Sequence, residues 1–151
     1  GKQRIRGLEL SVSGEVFRNL NVIAGAVLGP VRVIGSDLEE VGVGNKAVGQ
    51  PQRTIIVNIG YNLSRWPAWS VDFYLKHWGA YPATVDNAAE ASHVTTMNAG
   101  ARYRFRVLRA PMSARVQIRN LTNVYTWGTG FSPGYRPLAP RSAVACITVD
   151  L

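Results

Sequence analysis

The sequence has a single cysteine, Cys146, so neither an internal disulfide framework nor a multi-cysteine metal site can organise it. It has no apolar run of about 18 residues, which excludes a transmembrane helix. Its two histidines, His77 and His93, stand apart with no metal-ligand spacing, and no metal site is expected. A nucleophile elbow and a phosphate loop are both missing, and Asp72 has no carboxylate partner at a sensible strand position. Neither catalysis nor a cofactor is expected. Acidic residues are few, nine against seventeen basic ones, for a net charge of +8. That balance admits nucleic acid, acidic lipid or an anionic small molecule as a partner. The chain also lacks an initiator Met and a signal peptide: Gly1-Lys2-Gln3-Arg4 leads straight into a strand pattern, and a piece of something longer is expected.

What the chain does have is period-two alternation. At its end, Ala143, Ala145, Ile147, Val149 and Leu151 alternate with Ser142, Val144, Cys146, Thr148 and Asp150. The same pattern recurs over Arg6 to Ser13, Leu20 to Leu28, Arg53 to Leu63, Trp69 to Lys76, Thr95 to Val107 and Ala114 to Arg119. About seven strands follow one another, each apolar on one face and polar or small on the other. Their connections alternate in length. Gly14–Asn19, Ser64–Pro67 and Leu108–Met112 are short; Ser36–Gln52, Gly79–Ser92 and Asn120–Ala139 are long and rich in turn residues. No helical period appears.

Strands of this length suit a tilted membrane crossing, and short turns at one end with long loops at the other are the habit of outer-membrane barrels. Trp66, Trp69, Trp78, Tyr81, Tyr103, Tyr125 and Trp127 gather near strand ends, as an interfacial girdle would. The expected fold is therefore an all-β, antiparallel up-and-down transmembrane β-barrel. Seven strands alone would leave open edges in lipid, so the chain is expected to be the last seven strands of a larger barrel. The alternative is a soluble basic β-barrel or sandwich binding nucleic acid or another anion. Its weakness is that no aromatic stands between the arginines on their face, so no stacking platform forms.

Four stretches resemble the C-terminal part of TonB-dependent receptors of the siderophore type. They are Arg6-Gly7-Leu8-Glu9-Leu10-Ser11-Val12-Ser13-Gly14 with Asn19-Leu20-Asn21-Val22; Gly44-Asn45-Lys46-Ala47-Val48-Gly49-Gln50-Pro51; Asn98-Ala99-Gly100-Ala101-Arg102-Tyr103-Arg104-Phe105; and Val116-Gln117-Ile118-Arg119-Asn120-Leu121-Thr122-Asn123-Val124-Tyr125. Pro140-Arg141 and the alternating terminus complete the set. The family usually closes on Phe, where this chain has Leu151.

The resemblance implies a barrel of about 22 strands with a plugged lumen, of which residues 1–151 supply the C-terminal segment without the plug domain. It implies TonB-energised uptake of a ferric siderophore or similar chelate across the outer membrane of a Gram-negative bacterium. The implied partners are outer-membrane lipid, the plug and remaining strands, the TonB complex through the plug, and the barrel-assembly machinery; no nucleic acid is expected. That machinery would read Ala143, Ala145, Ile147, Val149 and Leu151. The family's C-terminus is periplasmic, which would put the long loops outside the cell. Candidate ligand residues are then Arg102 and Arg119 on the lumen wall, and Trp127, Phe131 and Tyr135 in the last long loop. Guanidinium forks suit anionic chelates, and ring faces can stack on them. Asp72, Lys76, Arg104, Arg106 and Arg115 are expected as lumen or plug-facing charge. Each of these residues has a plainer reading: the charges pair with one another or with the plug, and the rings pack between loops.

Overall fold

The computed structural model describes residues 2–36, 38, 40–129 and 134–149. Its elements are β1 Lys2–Ile5, β2 Leu8–Phe17, β3 Leu20–Leu28, β4 Val31–Ile34, β5 Arg53–Asn62, β6 Trp69–Trp78, β7 Tyr81–Pro82, β8 Glu90–Ala91, β9 Val94–Val107, β10 Ala110–Arg119, β11 Trp127–Thr129, β12 Tyr135–Pro137 and β13 Ser142–Val149. Seven of them form one antiparallel sheet in the order β13-β10-β9-β6-β5-β3-β2. Each strand therefore lies beside the one that precedes it in the wall, as up-and-down connection requires.

The register carries the alternation from strand to strand. Directly opposed residues share a face, and the pairs run Val12↔Ala24↔Val57↔Leu75↔Met97 on one side of the wall. Further along, Val71↔Ala101↔Val116↔Ala145 continue the same face. A slip of one residue anywhere would have sent a strand's apolar set to the other side. No second layer covers this face among the described residues: Val12 is 67% exposed and Ile147 68%. A sandwich would have buried both, so the soluble alternative is not what the chain builds.

The short connections are tighter than their composition suggests. Leu108–Arg109 alone joins β9 to β10, with φ of 48° and 76°. Two consecutive left-handed residues make a type I′ hairpin turn, whose twist matches that of the strands. Pro111 therefore lies inside β10, opposite Arg106, and not in the turn where its type suggested. Likewise β2 runs on to Phe17, leaving Arg18–Asn19 as the turn. Asn19 takes φ 67°, and its N–H donates to Glu15 Oε1 at 2.6 Å.

The long connections are more ordered than loop chemistry implies, since β7 pairs with β8 and β11 with β12, and β1 pairs with β4 just before the first of them. The chain's own packing gathers here. Ala47, Tyr81, Val94 and Asn120 are each 5% exposed or less, and all lie in the long connections or where a wall strand meets one. Tyr81 is thus a loop-layer residue, and Trp78, opposite Thr54 and Val94, has the parity of the polar face. Neither belongs to an aromatic girdle on the apolar side. Trp69 and Tyr103 do: they are register partners near the turn end, with ring centroids 4.8 Å apart.

Candidate functional site

The polar face and the loop end above it hold the candidate groups. One row of that face reads Ser70–Arg102–Arg115–Cys146 and the next reads Asp72–Gly100–Gln117–Val144. Asp72 stands diagonal to Arg115, two strands away, with only Gly100 between. Its carboxylate lies across the bare glycine, and Arg115 Nη2 donates to Oδ1 at 2.9 Å and Oδ2 at 3.0 Å. A Cβ on Gly100 would stand 2.8 Å from Asp72 Oδ1. Gly100→Ala is therefore expected to push the carboxylate aside and cost about 1 kcal/mol, the scale of a partly exposed pair. In urea unfolding of micelle-embedded protein, Arg115→Ala would then add little in the Gly100→Ala background. A full additive loss would show that the pair was never broken.

Arg115 is thus paired within the wall. Arg102 shares its row with no acid, and Arg119 Nε donates to Gln117 Oε1 at 3.3 Å. Arg104 and Arg106 sit opposite Ser113 and Pro111, towards the turn end. Lys76 does not join the Asp72 pair; its ammonium stands 4.8 Å from the Trp78 ring centroid, a cation–π contact.

Lys76 and Trp78 belong to a cavity of about 600 Å³ at the loop end, with Thr54, Tyr81 and Arg136 also on its wall. That size suits a small-molecule site. It joins two cations to an indole face, and Arg136 is a member that alternation could not reveal, because β12 is only three residues long. Of the loop aromatics, Trp127 is 51% exposed and meets Tyr125 edge-on at 6.4 Å. Tyr135 donates its hydroxyl proton to the Ala83 carbonyl, which ties the third long connection to the second. Phe131 and Leu151 lie outside the described residues; Ala143, Ala145, Ile147 and Val149 fall on the apolar face of β13.

Two asparagines hold the loop layer together: Asn120, which lies in the Val116–Tyr125 stretch that carries the resemblance, and Asn87, which no sequence pattern marks. Asn120, at φ 50°, donates from Nδ2 to the carbonyls of Val124 (2.9 Å) and Ala139 (3.0 Å), while its Oδ1 accepts from Val124 N–H at 2.9 Å. Asn87, at φ 60°, accepts from Lys46 N–H and donates to Lys46 O. Beside it, the Thr84 hydroxyl and then the Ala88 N–H hold the Asp86 carboxyl below its ordinary range. His77 and His93 do approach, with ring centroids 6.2 Å apart, but His77 Nδ1 is engaged with Thr95 Oγ1 at 2.8 Å. Among the described residues no cluster of three metal-ligating groups forms.

The family described as TonB dependent receptor-like, beta-barrel matches residues 1–121. An uncharacterised TonB-dependent receptor of Haemophilus influenzae is 24% identical over 135 residues, which is 85% of this chain and 39% of that protein. Among solved structures, BauA, the ferric preacinetobactin receptor of Acinetobacter baumannii, superposes with a TM-score of 0.87 at 21% identity, over 99% of this chain and 22% of its own. The ferric-catecholate import receptor Fiu of E. coli, in its closed form, gives 0.76 at 20% identity, over 96% of this chain and 20% of its own. The chain thus spans about two-fifths of that curated relative and about a fifth of these solved receptors.

Proposed function

We propose that this chain, which belongs to the TonB-dependent receptor β-barrel family, forms the closing stretch of the barrel wall in an outer-membrane receptor that takes up a ferric siderophore or a similar anionic chelate. The observation that carries the reading is one apolar face running through seven paired strands, uncovered among the described residues, where β2 and β13 are each paired on one side only. Unpaired edges are not tolerated in lipid, so further strands of a parent chain close the barrel and a plug fills its lumen. The short turns face the periplasm, the C-terminus with them, and the long connections face outward. Uptake is driven by the TonB complex acting on the plug, and the barrel-assembly machinery inserts the closed wall. No chemical step falls to this chain.

The ligand approaches the loop end. There Lys76, Trp78 and Arg136 line the cavity, and Arg102, Arg119, Trp127 and Tyr135 supply further cationic or aromatic contacts along the path. The parent protein, taken from an outer-membrane fraction, is expected to run faster unboiled than boiled. It should also carry radiolabelled iron into cells when supplied as a catecholate or carboxylate chelate. Lys76→Ala with Arg136→Ala is expected to weaken chelate binding about tenfold or more while leaving the heat-sensitive mobility unchanged. A protein whose mobility ignores boiling would end the barrel reading; a barrel that binds every chelate equally well after the double substitution would end the cavity assignment.

A further inference from the structure

The hairpin of β2 and β3 does not stop where its apolar residues stop. Ile5 faces Val31 in the β1–β4 ladder and Leu8 faces Leu28 in the β2–β3 ladder. Two residues lie between these pairs on each strand, so the register passes through Arg6-Gly7 and Gly29-Pro30 without a slip. The glycines make the narrow crossing possible: Gly29 has φ 151°, and a Cβ there would stand 2.1 Å from Arg6 O. Because register is kept, Lys2, Arg4 and Arg32 have the same parity as Leu8, Leu10 and Leu28. The outward face of the wall therefore turns from leucine to cation within a few residues.

The cations are also held side by side. Arg4 and Arg32 are direct partners, and Arg32 forms an antiparallel bridge with Lys46. That bridge is flanked by Val33 N–H to Asn45 O at 2.9 Å and Ala47 N–H to Val31 O at 3.0 Å. It is therefore the non-hydrogen-bonded kind, in which opposed side chains stand closest. On its other edge Lys46 is fixed by Asn87, which accepts from its N–H at 2.8 Å and donates to its carbonyl at 3.0 Å. All three cationic side chains are exposed, and none is joined to a carboxylate among the described residues. Like charges in direct opposition destabilise a ladder, so this arrangement has a cost in the free chain that a bound anion would relieve.

We propose that Arg4, Arg32 and Lys46 form a seat for the phosphate groups of lipid headgroups in the leaflet at the loop end of the barrel. The inference rests on the membrane-barrel reading above. Three features favour lipid over a soluble anion. The row follows directly on the lipid-facing leucines. It has their parity, whereas the cavity of Lys76 and Arg136 opens above the opposite face. Finally, guanidinium forks match phosphate oxygens in pairs.

The test uses the complete receptor in nanodiscs that contain phosphatidic acid and phosphatidylcholine in equal amounts, with retained lipid counted by native mass spectrometry. The unaltered receptor is expected to keep phosphatidic acid over phosphatidylcholine by about tenfold. Arg32→Gln with Lys46→Gln should bring that preference to about twofold or less. Arg4→Gln, on the exposed outer strand and with no side-chain bond among the described residues, gives the same direction should the double variant fail to fold. Preference unchanged in folded variants would overturn the proposal. So would stoichiometric displacement of the lipid by soluble pyrophosphate, which would make the row a soluble-anion site. Heat-sensitive mobility is read on the same samples: its absence in the unaltered protein would instead bring down the barrel reading on which the proposal stands.

Discussion

Val57→Arg is expected to destabilise the folded barrel by about 2–4 kcal/mol, whereas Asn58→Arg, one residue further along the same strand, should leave it within about 1 kcal/mol. The two positions sit mid-way along β5 and differ only in the face they present. Val57 is opposed by Ala24 and Leu75, so an arginine there stands among aliphatic side chains. In a bilayer that charge would lie near mid-depth, far from either headgroup layer. Asn58 is exposed on the polar face, opposed by Ile23 and Tyr74, where water reaches the lumen wall. Reversible unfolding in lipid vesicles, followed by tryptophan fluorescence, separates the cases. Equal costs for both substitutions would show that the two faces meet the same medium, and the membrane reading would fall with them.

That contrast was legible in the sequence because the side-chain period of a strand is two and each wall strand is at least eight residues long. Over such lengths the apolar set is unambiguous, and pairing each strand with the one before it aligns all the sets at once. Shorter elements carry no period. β1, β4, β7, β8, β11 and β12 have two to four residues each; β7, β8, β11 and β12 fall in stretches whose composition reads as loop, β1 in a plain strand entry, and β4 in a stretch with no reading of its own. Leu108 and Arg109 hid the tightest turn, since neither residue advertises a left-handed backbone as Asn-Gly would. Asp72 and Arg115 could be placed on one face from the sequence. Which of five arginines the carboxylate would choose was decided by Gly100, whose missing side chain opens only one diagonal. The role of Asn87 depends on Lys46, 41 residues away, and Asn120 adds to its local bonds with Val124 one to Ala139, 19 residues away, distances at which local pattern says nothing.

Asn120→Ala is expected to loosen the last long connection by about 2–4 kcal/mol while leaving the seven-stranded wall intact. Three bonds from one amide are lost, each contributing about 0.5–1.5 kcal/mol, and the carbonyls of Val124 and Ala139 lose a partner in a part-buried setting. The backbone adds to this, because φ 50° is a conformation that Asn tolerates and Ala does not. Asn120→Gly separates the two contributions: it relieves the backbone but restores no bond, so it should recover a minority of the loss. The wall survives because β10 and β13 are bound to each other through eight register pairs that do not involve position 120. The loosened segment also carries Arg136, Pro137 and Leu138, so the cavity they border should lose shape with it. Limited proteolysis of the folded protein would show new cleavage between residues 121 and 139 in the alanine variant, with heat-sensitive mobility retained. If mobility were lost as well, Asn120 would be a structural member of the wall itself; if neither changed, the loop layer would be held by the Tyr135 and Asn87 contacts alone.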